Sequence, residues 1–233
     1  MAAPARRAVG SRRGRATARE AEPPGGTTPG APEGGADAAA PVQERLLAAA
    51  SRLFAERGFA LTSVQEIVEH AGVTKGAMYH YFTSKDDLLQ QIYTRLLALQ
   101  SVRLAAIADE ARRPVRDRLR DAAADVVVST LEHLDDAMVS WRSMHMLPPD
   151  RLAAVRADRR RYHERFRALI EQGQAEGSLR SDVSPDLAAH QFFGGVHHLG
   201  SWYHADGELT PESIGATFAD LLLRGLAATD ANL

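Results

Sequence analysis

Cysteine is absent from this 233-residue chain, which excludes disulfides and thiolate metal sites and leaves a reducing compartment open to it. Long apolar runs are missing too. None approaches the roughly 18 residues that a bilayer-spanning helix needs, and the arginines near the N-terminus are not followed by the apolar core of a secretory signal. A cytoplasmic protein with no membrane partner is expected. There is no GxSxG, Walker loop, dinucleotide fingerprint or HExxH, so no catalytic residue, cofactor or metal is expected. Lysine is nearly absent: 26 of the 28 basic residues are arginine, and the two lysines are Lys75 and Lys85.

What is present is ordinary for a globular chain, with 45% hydrophobic and 25% charged residues and a net charge of −2. The charge is unevenly placed. Residues 1–19 carry six arginines and no acid, and residues 20–40 carry four acids and no base. This stretch is rich in Pro, Gly and Ala and too poor in large apolar groups to repay its ordering entropy, so 1–40 reads as a disordered tail. Its arginines could reach a DNA groove or could be a solvated extension.

From Pro41 onward apolar residues recur at three- and four-residue steps, and the chain reads as all-α. A first helix begins near Pro41 and ends at Gly58, burying Val42, Leu46, Ala49 and Leu53. Thr62 with Gln65 reads as a capping box for a short second helix carrying Val64, Ile67 and Val68. Thr74 caps a third helix. Ser84 with Asp87 opens a long fourth one, with Leu88, Ile92, Leu96 and Leu99 inward. Further helices are expected over 114–134, 136–146, 149–176, 184–204 and 210–228.

Two short helices joined by a glycine turn, the second led by polar residues, fit a helix-turn-helix. Gly72 permits the turn, and Val73, Met78 and Phe82 pin the second helix. Thr74, Lys75, Gly76, Ala77, Tyr79 and His80 are then left facing outward. Gly76 and Ala77 would let the backbone approach a groove, Lys75 can reach a guanine edge or a phosphate, and Tyr79 and Tyr81 have hydroxyls for phosphate oxygens. Lys85 stands at a helix N-terminus that favours an anion. Residues 42–90 hold five bases and six acids, so affinity for DNA must come from a focused face rather than from net charge.

The spacing of Phe54, Gly58, Thr62, Ile67, Ala71, Gly72, Val73, Tyr79, Phe82, Lys85 and Leu88 resembles the TetR/AcrR family of bacterial transcriptional regulators. The resemblance covers residues 42–90. It implies a three-helix DNA-binding module over 41–88 and a larger helical bundle over 89–230 for ligand binding and dimerisation. It implies phosphate contacts by Thr62, Tyr79, Tyr81 and Lys85, and base contacts from Thr74 to Ala77. The implied function is a homodimeric, ligand-responsive regulator, a repressor of a palindromic double-stranded DNA operator.

The bundle offers two further expectations. Met138, Trp141, Met144, His145, Tyr162, Phe166, Phe193 and His197 are large, deformable or polar groups suited to an apolar ligand pocket, or equally to a filled core. Phe192, Val196, Leu199, Ile214, Phe218 and Leu222 suit a four-helix dimer interface, or packing within one chain. His190, His197 and His204 are spaced by seven, too far apart along one helix for a metal site. Seven arginines lie within 151–167, read as a solvated face or as recognition of an anionic ligand. The closing stretch SWYHADGELTPESIGATFADLLLRGL resembles the end of TetR-type regulators of fatty-acyl and steroid degradation, which implies an acyl-CoA-like small hydrophobic effector. Two alternatives stay open here: a DNA-binding dimer with no effector, and an enzyme acting on a hydrophobic thioester.

Overall fold

Pro41, with φ −52°, presets the first turn of α1 (Val42–Arg57), and Gly58 ends that helix at φ 88°, a backbone region open to glycine at little cost. The computed structural model describes residues 40–228. The tail expected over 1–40 therefore lies outside the described residues apart from Ala40. Among the described residues there are nine α-helices and no strand, with only an isolated bridge between Leu179 and Ala227. None of these helices is long and apolar enough to cross a membrane.

After α1 come α2 (Val64–His70), α3 (Lys75–Tyr81) and α4 (Lys85–Ala108). The cap of α2 sits one residue later than the sequence suggests. Thr62 turns inward, donating to the Gly58 carbonyl at 2.9 Å and thereby satisfying the end of α1. Ser63 caps α2 instead: its hydroxyl accepts from the Glu66 amide, and Glu66 accepts from the Ser63 amide at 2.7 Å. That amide, followed by the Ser63 hydroxyl, holds the Glu66 carboxyl below its ordinary pKa. Ser84 caps α4 through the Asp87 amide, but Asp87 reaches back to Thr83 rather than closing a box with Ser84.

Gly72, at φ 63°, makes the turn between α2 and α3. Arg45 of α1 donates to the carbonyls of Ala71 and Gly72, which ties the turn to the first helix. Met78 and Phe82 are fully buried and anchor α3.

The remaining helices are α5 (Val115–Glu132), α6 (Leu134–Ser143), α7 (Pro149–Ala175), α8 (Pro185–His197) and α9 (Pro211–Gly225). The division expected at 88/89 falls inside α4, so one continuous helix leaves the small module and enters the bundle. Leu99, expected inward on α4, is exposed, while Leu89, Tyr93, Gln100 and Leu104 are buried. α8 stops at His197 rather than near residue 204, and a 3-10 turn over Leu199–Ser201 follows it.

α9 lies against α5 so closely that a Cβ on Gly215 would come within 2.9 Å of the Ala124 carbonyl oxygen. This contact corrects one expectation. Phe192, Val196, Leu199, Ile214 and Leu222 are buried within the single chain, and Phe218 is partly buried with its ring against Gly195. The apolar stripes of α8 and α9 largely close the subunit's own core, and of these six residues Phe218 alone keeps part of its surface outward. Leu187 and Leu221 point outward instead, with 69% and 63% of their surface exposed.

Candidate functional site

Two places combine exposure, charge and shape: the outer face of α3 and a chamber inside the bundle. On α3, Lys75, Gly76, Tyr79, His80 and Tyr81 are exposed and Ala77 is half-buried. Thr74 is exposed but committed as the N-cap, its hydroxyl accepting from the Ala77 amide at 3.1 Å. His80 and Tyr81 meet edge to face, 4.9 Å between centroids. Gly76 meets no close neighbour beyond Thr74 at 3.8 Å, so its lack of a side chain serves the outside rather than the packing.

Two residues of the expected DNA-contacting set are placed elsewhere. Thr62 is buried, its hydroxyl held as described. The Lys85 ammonium donates to the carbonyls of Phe59 at 2.8 Å and Thr62 at 2.9 Å, and lies 4.3 Å from the centre of the Phe59 ring. Those carbonyls fall in the α1–α2 connection, where no helical donor reaches them, so Lys85 closes that connection.

The chamber holds a cavity of about 90 Å³. α4 contributes Tyr93, Leu96, Leu97 and Gln100, and α5 contributes Val126 and Thr130. α6 adds Met138, Ser140 and Trp141; α7 adds Arg159, Tyr162 and His163; α8 adds Phe193, Val196 and His197. Gln100 bridges the floor, donating to the hydroxyls of Ser129 and Thr130 at 3.1 Å each.

Of the residues expected around a pocket, Met138, Trp141, Tyr162, Phe193 and His197 stand on this wall. Phe166 does not: it is fully buried beneath, stacked on Phe192 with centroids 5.0 Å apart. Met144 and His145 fall in the 3-10 turn after α6, where Met144 packs on the core and His145 faces solvent. The walls contributed by α4 and α5, and Arg159 and His163 of α7, lie outside the set expected from the sequence. The latter two carried a signal, because 159, 162, 163 and 166 share one helical face.

A stack of rings forms the chamber's mouth. Trp141 lies parallel to His197, and His163 to Phe193 at 3.9 Å. Burial, reinforced by the Arg159 charge, lowers the His163 pKa to about 3 and that of His197 to about 4, so both imidazoles are neutral at physiological pH. Burial likewise pushes Tyr93 up to about 12.

Next to the chamber runs a groove of about 670 Å³ between α7 and α8, and Trp141, Arg159, His163, Phe193 and His197 line both. Arg156, Arg160 and Arg167 line this groove, with the acids Glu164 and Asp186. Arg167 pairs with Asp186 at 3.3 Å and Glu171 at 3.4 Å, yet its Nε–H is buried with no acceptor. Among the described residues, Arg156, Arg159 and Arg160 make no ion pair, and Arg159 lies over the Trp141 ring at 5.5 Å. No group of acidic and histidine side chains among the described residues is placed to hold a metal ion.

Besides the continuous α4, a buried carboxylate ties the chamber wall to the small N-terminal module. Asp136, on the same helix as Met138 and Trp141, is 4% exposed. Its carboxylate accepts from the Ser51 hydroxyl of α1, and from Arg95 of α4 through Nε at 3.1 Å and Nη2 at 2.7 Å.

Residues 46–92 match a family model described as bacterial regulatory proteins, tetR family, and residues 112–226 match a tetracyclin repressor-like C-terminal domain. The chain is 31% identical to the HTH-type transcriptional repressor DhaR of Mycobacterium sp. strain GP1, over 64% of this chain and 75% of that protein. It is 25% identical to the HTH-type transcriptional repressor KstR2 of Rhodococcus jostii strain RHA1, over 78% of this chain and 90% of the relative. The crystal structure of AibR in complex with isovaleryl coenzyme A and operator DNA is similar with a TM-score of 0.69 and 25% identity, covering 81% of this chain and 99% of the other.

Proposed function

The chain belongs to the TetR family of bacterial transcriptional regulators, and from that premise we propose that it is a homodimeric repressor released from its operator by an acyl-CoA. The observation that carries this reading is the shape of the cavity. A small apolar chamber lies against a much larger groove lined by arginines, with aromatic rings common to both, which suits a ligand with an apolar end and a bulky anionic body. The buried, unpartnered Nε–H of Arg167 adds a donor awaiting an acceptor.

In this reading Lys75, Gly76 and Ala77 enter the major groove, while Tyr79 and Tyr81 meet the phosphate backbone. Two copies related by a two-fold axis read a palindromic operator in the cytoplasm. The outer faces of α8 and α9 form the contact between them: Leu187 and Leu221 are exposed there, and a Cβ on Gly194 would meet nothing within 4 Å. An occupied chamber shifts α6, and Asp136 passes that shift to α1 and α4. Release follows only if the ligand binds the DNA-incompetent arrangement more tightly.

The cavity favours this reading over a dimer with no effector, whose bundle would be filled. Against an enzyme, the Ser140 hydroxyl is committed to the Asp136 carbonyl at 2.6 Å, and the two wall histidines are too weakly basic to take its proton at neutral pH.

The test is a mobility-shift titration of the purified protein on the DNA upstream of its own gene, over a salt series, followed by addition of acyl-CoAs. Saturable, sequence-dependent binding that a thioester reverses supports the whole reading. Specific binding that no thioester disturbs removes the effector class and leaves the regulator.

A further inference from the structure

We propose that the effector is the CoA thioester of a short acid, and that the partition formed by Leu97 and Tyr162 sets the limit on chain length. This inference rests on the thioester reading above and narrows it. An apolar cavity of roughly 150 Å³ takes a benzene ring, so the chamber's 90 Å³ holds about four carbons. The groove outside, at about 670 Å³, is several times larger. The ligand's volume is therefore divided very unequally: a small acyl end inside, and the pantetheine and phosphates outside along Arg156, Arg160 and Arg167.

The inner end of the chamber is closed by ordered groups rather than by loose side chains. Gln100, buried and bonded to Ser129 and Thr130, locks α4 to α5 across the floor. Leu97 and Tyr162, 8% and 6% exposed, stand between the chamber and a separate groove on the α4–α7 side, whose walls they also form. A longer chain has to displace one of these two. Displacing Leu97 or Tyr162 breaks the packing of side chains that belong to the buried core. Shortening Leu97 to alanine joins the chamber to that outer groove and gives a longer chain a path.

The experiment is direct titration of the full-length protein, by calorimetry, with free CoA and with acetyl-, butyryl-, isovaleryl-, octanoyl- and palmitoyl-CoA, repeated on Leu97→Ala. The expected result is tightest binding of butyryl- or isovaleryl-CoA, at least tenfold tighter than octanoyl- or palmitoyl-CoA, with the order moving toward octanoyl in Leu97→Ala. Palmitoyl-CoA binding as tightly as butyryl-CoA overturns the length limit and leaves the thioester reading standing. Free CoA binding as tightly as any thioester overturns the acyl chamber. No binding of any member sinks the thioester reading itself. The wild-type series decides the matter even where Leu97→Ala does not fold.

Discussion

The indole of Trp141 and the imidazole of His197 lie 4.3 Å apart and within 13° of parallel, a stacked pair at the mouth of the chamber. The chain has only one other tryptophan, Trp202. With Trp202→Phe removing that background, a ligand passing the mouth changes the polarity around Trp141 alone. The expected outcome is a saturable shift in its emission on adding a short acyl-CoA, with a midpoint that matches the calorimetric affinity. An unchanged spectrum at saturating ligand would place the ligand elsewhere.

The same stack makes stability depend on acid. In the unfolded chain a histidine titrates near 6.5, whereas in the fold burial holds His197 at about 4 and His163 at about 3. A depressed histidine pKa means the unfolded state takes up protons first. The protein therefore loses stability as pH falls from about 6.5, until His197 titrates near 4 and His163 near 3. Thermal melts over this range should fall progressively, and His163→Phe, which keeps a ring against Phe193, should flatten the slope. An equal slope in that variant would assign the acid sensitivity to other groups.

Asp136 is the acceptor that holds Ser51 and Arg95 on two different helices. Asp136→Ala leaves both donors without their partner and should cost about 1 to 3 kcal/mol in urea denaturation. The more informative readout is coupling. In the Asp136→Asn variant, DNA affinity and thioester affinity should each survive, while the thioester's effect on DNA binding falls several-fold. Full release by ligand in that variant would show that α4 transmits the shift without α6.

Lys75 and Lys85 should separate cleanly. Lys75 is exposed on α3, so Lys75→Ala should weaken operator binding, relax base preference, and leave the melting temperature near wild type. Lys85 closes the α1–α2 connection through two carbonyls. Lys85→Met should lower stability by about 1 to 3 kcal/mol, visible in denaturation without DNA.

Gly215→Ala tests the closest helix contact. The added methyl meets the Ala124 carbonyl oxygen at 2.9 Å, and a backbone atom cannot turn aside as a flexible side chain can. A loss of about 1 to 3 kcal/mol is expected, read from chemical denaturation.

Much of this was legible in the sequence, and the reasons it stopped are physical. The periodicity and the capping residues located the helices, because both act locally. Thr62 and Ser63 could not be told apart as caps, since the choice depended on whether the end of α1 needed a hydroxyl. The stripe of Phe192, Ile214 and Leu222 was visible as apolar, but a stripe does not say whether α5 or a second subunit covers it. The chamber was the least legible feature. Leu96 and Val126 differ in nothing from core residues, and a cavity arises where helices stand too far apart for their side chains to meet, which spacing along the chain does not encode.

The groove's cations are all guanidinium groups, and this bears on how a sensor survives its own signal. A thioester is an acylating agent, and the group that captures its acyl chain permanently is a neutral primary amine. Arginine stays protonated at any physiological pH and offers no such amine. Both lysines of the chain lie in the helix-turn-helix region, at positions 75 and 85. If the proposed thioester lodges against Arg156, Arg159, Arg160 and Arg167, it meets charge for its phosphates and no lysine amine that would trap its acyl group as an amide, and the same molecule reports repeatedly and leaves unchanged.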